Sequence, residues 1–272
     1  MKNLVSKKTD LKNPEMKNSE TKNSGTGRFA MPQSMKPALF HYCPGCGHGT
    51  IHRILCEVID ELGIREKTIA VAPVGCAVQA YDYWNFDVCE AAHGRAPAVA
   101  SGIRRVHPDK TIICYQGDGD LASIGMAETI HAANRAENIT VIFVNNNNYG
   151  MTGGQLAPTT MIGQKTTTCV NGRAPSQDGY PLKMAELMAC IEGVSLSVRT
   201  TVADNKHIRE AKKYIRSAIS MQHNGGGYAF IEILSNCNTN WKMSPAQANT
   251  FILEKVTQTF PLGVYKNFPK SS

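Results

Sequence analysis

The chain has 272 residues, of which 42% are hydrophobic and 19% charged, and its formal net charge is +7. That is enough apolar material for a sizeable core, which excludes a largely disordered chain, and no apolar run approaches the roughly 20 residues of a membrane span. Much of the charge lies in residues 1 to 34, where Lys2, Lys7, Lys8, Lys12, Lys17, Lys22 and Arg28 face only Asp10, Glu15 and Glu20. The folded part therefore gives no reason to expect a nucleic-acid partner.

Residues 1 to 33 are Lys, Asn, Ser, Thr and Glu with few apolar positions, and they read as a flexible extension. Such a basic tail is either solvated or an arm that docks on a partner subunit, and its acidic residues argue against a transit peptide. The expected location is the cytoplasm, away from membranes. Residues 49 to 63 place Ile51, Ile54, Leu55, Val58 and Leu62 at helical spacing, with Gly63 as a stop. Apolar, β-branched runs follow at 68 to 74, 111 to 116, 140 to 145 and 228 to 234, with helical patterns at 121 to 136 and 205 to 222. The expected fold is α/β, a mostly parallel sheet with helices on both faces, spanning residues 34 to 257 and followed by a C-terminal tail over 258 to 272. Ligands in such sheets bind beyond the carboxyl ends of the strands, so the loops there carry the chemistry.

The run QGDGDLASIG at 116 to 125 follows one strand and opens a helix. Gly117 and Gly119 allow a phosphate to approach the backbone and the helix N-terminus offers free N–H groups, yet Asp118 would repel a bare phosphate. A hard cation such as Mg²⁺ resolves the conflict by taking protein and diphosphate oxygens together. The next strand ends in FVNNNNYGMTGGQ, residues 143 to 155, which offers neutral oxygen ligands at the neighbouring strand end. Nine cysteines are too many for bland packing and too odd a number for a disulfide framework. Cys56, Cys114 and Cys190 lie in apolar segments and read as buried packing residues. Cys43, Cys46, Cys76 and Cys237 lie in loops, where four thiolates suit zinc or an iron–sulfur cluster alike. Cys89 and Cys169 read as free thiols.

These motifs carry a resemblance. The GDG loop with an Asn pair after one helix and one strand is similar to the motif of thiamine diphosphate (TPP) enzymes. CPGCGHG at 43 to 49, PVGCA at 73 to 77, EAAHGRAPAVASG at 90 to 102, YGMTGGQ at 149 to 155 and CNTNW at 237 to 241 resemble the β subunit of the 2-oxoacid:ferredoxin oxidoreductases. AYDYW, GDGDLASIG and TNWKMSP look nearest to the branched-chain, 2-oxoisovalerate type. The resemblance implies a TPP-binding fold in which Asp118, Asn146 and the Asn148 carbonyl hold Mg²⁺. It places Gly119 and Asp120 on one side of the diphosphate and Gly150, Met151 and Thr152 on the other. Val74, Gly75, Cys76 and Ala77 line the cofactor, and His93 sits beside it as a catalytic candidate. Cys43, Cys46, Cys76 and Cys237 match the ligands of a [4Fe–4S] cluster. Asn145 and Asn147 read as turn or packing residues, Arg95 as opening a helix, and His48 as either cofactor shell or loop structure.

The implied reaction is oxidative decarboxylation of a 2-oxoacid to acyl-coenzyme A, with electrons passed to ferredoxin. No glutamate stands out to activate the TPP pyrimidine, because Glu57, Glu61 and Glu128 fall on solvated helix faces. The resemblance places that group in an α subunit, with γ or δ subunits as further partners, so this chain is expected to be inactive alone. Other substrates of the family, 2-oxoglutarate and pyruvate, stay open. So do a non-catalytic iron–sulfur or zinc-stabilised subunit and a TPP decarboxylase without redox function.

Overall fold

A computed structural model describes residues 30 to 267. The expected extension over 1 to 33 lies outside the described residues up to position 29, as does the tail from 268. The main compact unit starts at Pro32, two residues before the expected boundary. Its first residues are tied down: the Gln33 and Ser34 amides and the Ser34 hydroxyl donate to the Asp60 carboxylate at 2.6, 3.0 and 2.5 Å.

In chain order the elements are α1 (Gly47–Leu62), β1 (Thr68–Ala72), α2 (Ala80–Tyr83), β2 (Asp87–Glu90), α3 (Ala96–Val106), β3 (Thr111–Gly117), α4 (Met126–Asn134), β4 (Thr140–Asn145), α5 (Pro175–Asp178), α6 (Met184–Ala189), β5 (Val194–Thr201), α7 (Asn205–His223), β6 (Tyr228–Leu234), α8 (Asn238–Trp241), α9 (Pro245–Phe251) and β7 (Gly263–Lys266). One sheet has the order β2-β1-β3-β4-β6-β5-β7. All neighbours are parallel except β7, which pairs antiparallel with β5. The segment from 258, expected as a tail, thus closes one edge of the sheet.

Strand side chains alternate between two cores. Ile113, Tyr115, Ile142, Val144, Ile231 and Ile233 face the buried stripes of α1 and α7. Ile112, Cys114, Val141, Phe143, Tyr228 and Phe230 face α3, α4 and α6. Both faces of the central strands are covered, which is why their sequences read as continuous apolar runs. Cys56 and Cys114 are packing residues as expected, but Cys190 is exposed because α6 ends at Ala189 and the chain turns outward. Among the described residues no helix is long and apolar enough to cross a membrane.

Candidate functional site

The sheet order creates a crevice. From β1 the chain runs outward to β2, whereas from β3 it runs the other way to β4, so the loops after β1 and β3 part at the carboxyl edge. A cavity of about 250 Å³ lies there. The β1 loop lines it with Val74, Gly75, Cys76 and Ala77, the segment after β2 with His93, and the β3 end with Asp118, Gly119 and Asp120. Gly150, Met151 and Thr152 close the side beyond β4. At the mouth, Val74, Ile124 and Met151 expose apolar surface.

Asp118 is 3% exposed. Its Oδ2 accepts from the Thr159 hydroxyl at 2.8 Å and its Oδ1 from the Gly119 amide at 3.1 Å. Burial nevertheless pushes its carboxyl up to about 7, with those donors pulling the other way. A buried carboxylate suits a bound metal ion, whose charge offsets the cost of its burial. Asn146 strengthens the case. The end of its amide nearest Asp118 lies 3.3 Å from Asp118 Oδ2, 2.7 Å from the Asn148 carbonyl oxygen and 3.1 Å from Asn148 Oδ1. With nitrogen there, the amide donates to all three; with oxygen there, it completes an all-oxygen cluster suited to a hard cation.

Asp120 behaves differently from Asp118. It borders the cavity, but its carboxylate is occupied: Oδ1 meets His93 Nδ1 at 2.5 Å and the Gly94 amide at 2.7 Å, and Oδ2 accepts from Gln116 Nε2 at 2.6 Å. Its side chain therefore orients His93 instead of facing a phosphate. The β2 and β3 loops can meet so closely because a Cβ on Gly94 would lie 2.7 Å from the Gly125 amide nitrogen. Gly119 borders the cavity as well, and a Cβ there would come within 2.7 Å of the Tyr149 ring. Gly119 makes room for that ring.

Cys43, Cys46, Cys76 and Cys237 border a second cavity of about 310 Å³. It shares a wall with the first, made of His48, Cys76, Asn146, Gly150 and Met151. Burial pushes the Cys76 thiol up to about 12 and Cys46 to about 11, and the neighbouring sulfurs push both further in the same direction. Among the described residues no three His, Cys, Asp or Glu side chains are arranged to hold one metal ion. The four cysteines share that cavity with His41, Tyr42 and His48. His48 belongs to α1, stacks on Tyr42 with ring centroids 4.7 Å apart, and its Nδ1 meets the Tyr115 hydroxyl at 2.6 Å. Burial lowers it to about 3, so it is neutral.

A buried polar chain supports the oxygen cluster from behind. Arg199 on β5 pairs with Glu232 on β6 at 2.9 Å, both side chains fully buried. Glu232 Oε1 accepts from Asn145 Nδ2 at 2.7 Å, and Asn145 Oδ1 accepts from the Asn147 amide and side chain at 3.2 and 3.1 Å. Asn147 has a φ of 60°. Its side chain reaches the Thr159 carbonyl at 3.0 Å, and the Thr159 hydroxyl closes the chain on Asp118. Thr159 was not legible in the sequence, because it returns from a long irregular segment without periodicity. Arg173 fixes that return by donating to the Ala157, Pro158 and Thr160 carbonyls at 3.1, 2.9 and 2.8 Å.

Residues 73–233 match the thiamine pyrophosphate enzyme C-terminal TPP binding domain. A 2-oxoglutarate synthase subunit KorB of Methanocaldococcus jannaschii is 37% identical, over 82% of this chain and 80% of its own. The chain belongs to this family of thiamine pyrophosphate enzymes. A ketoisovalerate oxidoreductase subunit VorA of Methanothermobacter thermautotrophicus is 50% identical over 85% of this chain and 48% of its own. The chain thus spans about half the length of the VorA relatives it matches. The solved 2-oxoglutarate:ferredoxin oxidoreductase of Magnetococcus marinus shares the fold of this TPP-binding domain. Its TM-score is 0.71 at 23% identity, covering 90% of this chain and 87% of that one.

Proposed function

We propose that this chain is the TPP-binding subunit of a 2-oxoacid:ferredoxin oxidoreductase whose substrate is a branched-chain 2-oxoacid. The observation that carries the reading is the shared wall: an oxygen cluster built for a cation and a four-thiol cavity meet at Cys76. The identity to a ketoisovalerate oxidoreductase subunit supports the branched-chain substrate.

Asp118, Asn146 and the Asn148 carbonyl would hold Mg²⁺, and the oxygen-rich surroundings of Asn146 fit it. Gly119, the Asp120 main chain, Gly150, Met151 and Thr152 would flank the diphosphate. Cys43, Cys46, Cys76 and Cys237, which line one cavity of about 310 Å³, would hold a [4Fe–4S] cluster. When bound, TPP supplies a nucleophilic carbon and an electron sink, and the cluster takes up electrons singly.

The chain's own residues prepare that chemistry. Asp120 fixes the proton of His93 on Nδ1, which leaves Nε2 as the free proton acceptor at the cavity. The neutral His48, held from behind by the buried Tyr115 hydroxyl, forms part of the wall between the cavities. Among the described residues, the acids lining either cavity are Asp118 and Asp120. Glu57 is tied to Lys212, Glu61 to Arg216 and Glu128 to Arg95, so none is directed at a pyrimidine. The exposed Val74, Ile124 and Met151 at the mouth fit a partner subunit that covers the cofactor and brings the acid.

Overall, a 2-oxoacid and coenzyme A give acyl-coenzyme A, CO₂ and a proton, while two electrons leave for two ferredoxins. The test is an assay of viologen or ferredoxin reduction with coenzyme A and 2-oxoisovalerate, 2-oxoglutarate or pyruvate. The copurified complex is expected to turn over 2-oxoisovalerate best and the isolated chain to be inactive. Preference for another of the three acids would overturn the substrate, and robust turnover by the isolated chain would overturn the shared site.

A further inference from the structure

The four asparagines near Cys237 divide into two kinds. Asn236 and Asn238 hold the two cysteine loops together, donating to the Gly45 and Pro44 carbonyls at 3.1 and 3.2 Å. Asn240 and Asn148 instead donate to sulfur: their side-chain nitrogens lie 3.3 and 3.6 Å from Cys237 Sγ. Both are held in that direction. The Asn240 amide also donates to the Gly150 carbonyl at 2.9 Å, and a Cβ on Gly154 would press on Asn240 at 3.0 Å. Asn148 is 2% exposed, and its other end points its Oδ1 toward Asn146.

Resting on the iron–sulfur reading above, we propose that the Asn148 and Asn240 side chains set the reduction potential of the centre held by the four cysteines, by donating hydrogen bonds to the Cys237 sulfur. Reduction adds one negative charge, which spreads onto the sulfur ligands. N–H dipoles aimed at one of those sulfurs stabilise the reduced form more than the oxidised form, so they raise the potential. The device is asymmetric, since no side-chain amide is found on the sulfurs of Cys43, Cys46 or Cys76 among the described hydrogen bonds. Asn148 further joins the two halves of the site. Its carbonyl faces the oxygen cluster while its amide faces the sulfur. Both asparagines are positioning residues that act through Cys237.

The test is an EPR-monitored potentiometric titration of the anaerobically purified complex carrying Asn240→Leu, Asn148→Leu or both, with iron measured in each sample. Leucine keeps the volume and removes the donors, so a packing role leaves the potential unmoved. Each loss is expected to disfavour reduction by roughly tenfold, about 59 mV more negative for one electron, and the double variant to shift further. If Asn240→Leu fails to retain iron, Asn148→Leu decides alone. An unchanged potential at full iron content would overturn the proposal. Absence of iron from the unsubstituted complex would be a different failure, that of the iron–sulfur reading itself.

Discussion

The oxygen side of the site and the sulfur side are built on opposite plans. The oxygen cluster grows from the ends of the adjacent strands β3 and β4 and is braced by a buried chain running back to Arg199. The Asn146 amide already stands 2.7 to 3.3 Å from its partners on Asp118 and Asn148. The sulfurs come from three remote segments, at 43 to 46, 76 and 237, and Cys43 is exposed. One half is preorganised by the sheet; the other is assembled from loops, and any group bound there would help to set its geometry.

That contrast can be broken from either side. The largest effect is expected from Glu232→Ala, which removes one of the two carboxylates paired with the buried Arg199, Glu186 being the other, and takes the acceptor from Asn145 and from the Ala185 amide. A stability loss of about 2–4 kcal/mol is expected from the buried donors left unsatisfied, read as the midpoint of urea unfolding, together with weakened Mg²⁺-dependent TPP binding. Next comes Asp118→Ala. It should weaken that binding by roughly 100-fold while iron content stays that of the unsubstituted complex, because Asp118 borders the first cavity and not the second. Loss of iron in this variant would show that the two halves are not separable. The smallest effect is expected from Gly119→Ala. The new methyl presses on the Tyr149 ring, and about 1–3 kcal/mol of stability should be lost, visible as a lowered thermal midpoint.

The sequence carried the sheet where strands are buried on both faces. The segments at 111, 140 and 228 start as strands where their apolar runs start. It missed β5, because Ser197, Arg199, Thr200 and Thr201 are polar and yet buried. Those groups find partners that lie far away in the chain, and local pattern cannot show them. The short edge strands β2 and β7 were missed for want of apolar run. At the site, cysteine and Gly-Asp-Gly spacing located both cavities, and every residue expected to line the cofactor does border the first one. What spacing could not show was division of labour between like residues. Asp118 and Asp120 stand two positions apart, yet one meets the oxygen cluster and the other holds His93.

The central claim is that this chain carries both cofactors, one on adjacent strand ends and the other in the cysteine loops beside them. The most direct measurement is the iron, acid-labile sulfide, zinc and TPP content per copy of the complex, purified without oxygen, with the visible spectrum near 400 nm as a second signature. The account predicts about four irons, about four sulfides and one TPP per copy, with iron lost and TPP retained in Cys237→Ala. Zinc in place of iron, or iron that survives loss of Cys237 and Cys76 together, would contradict it.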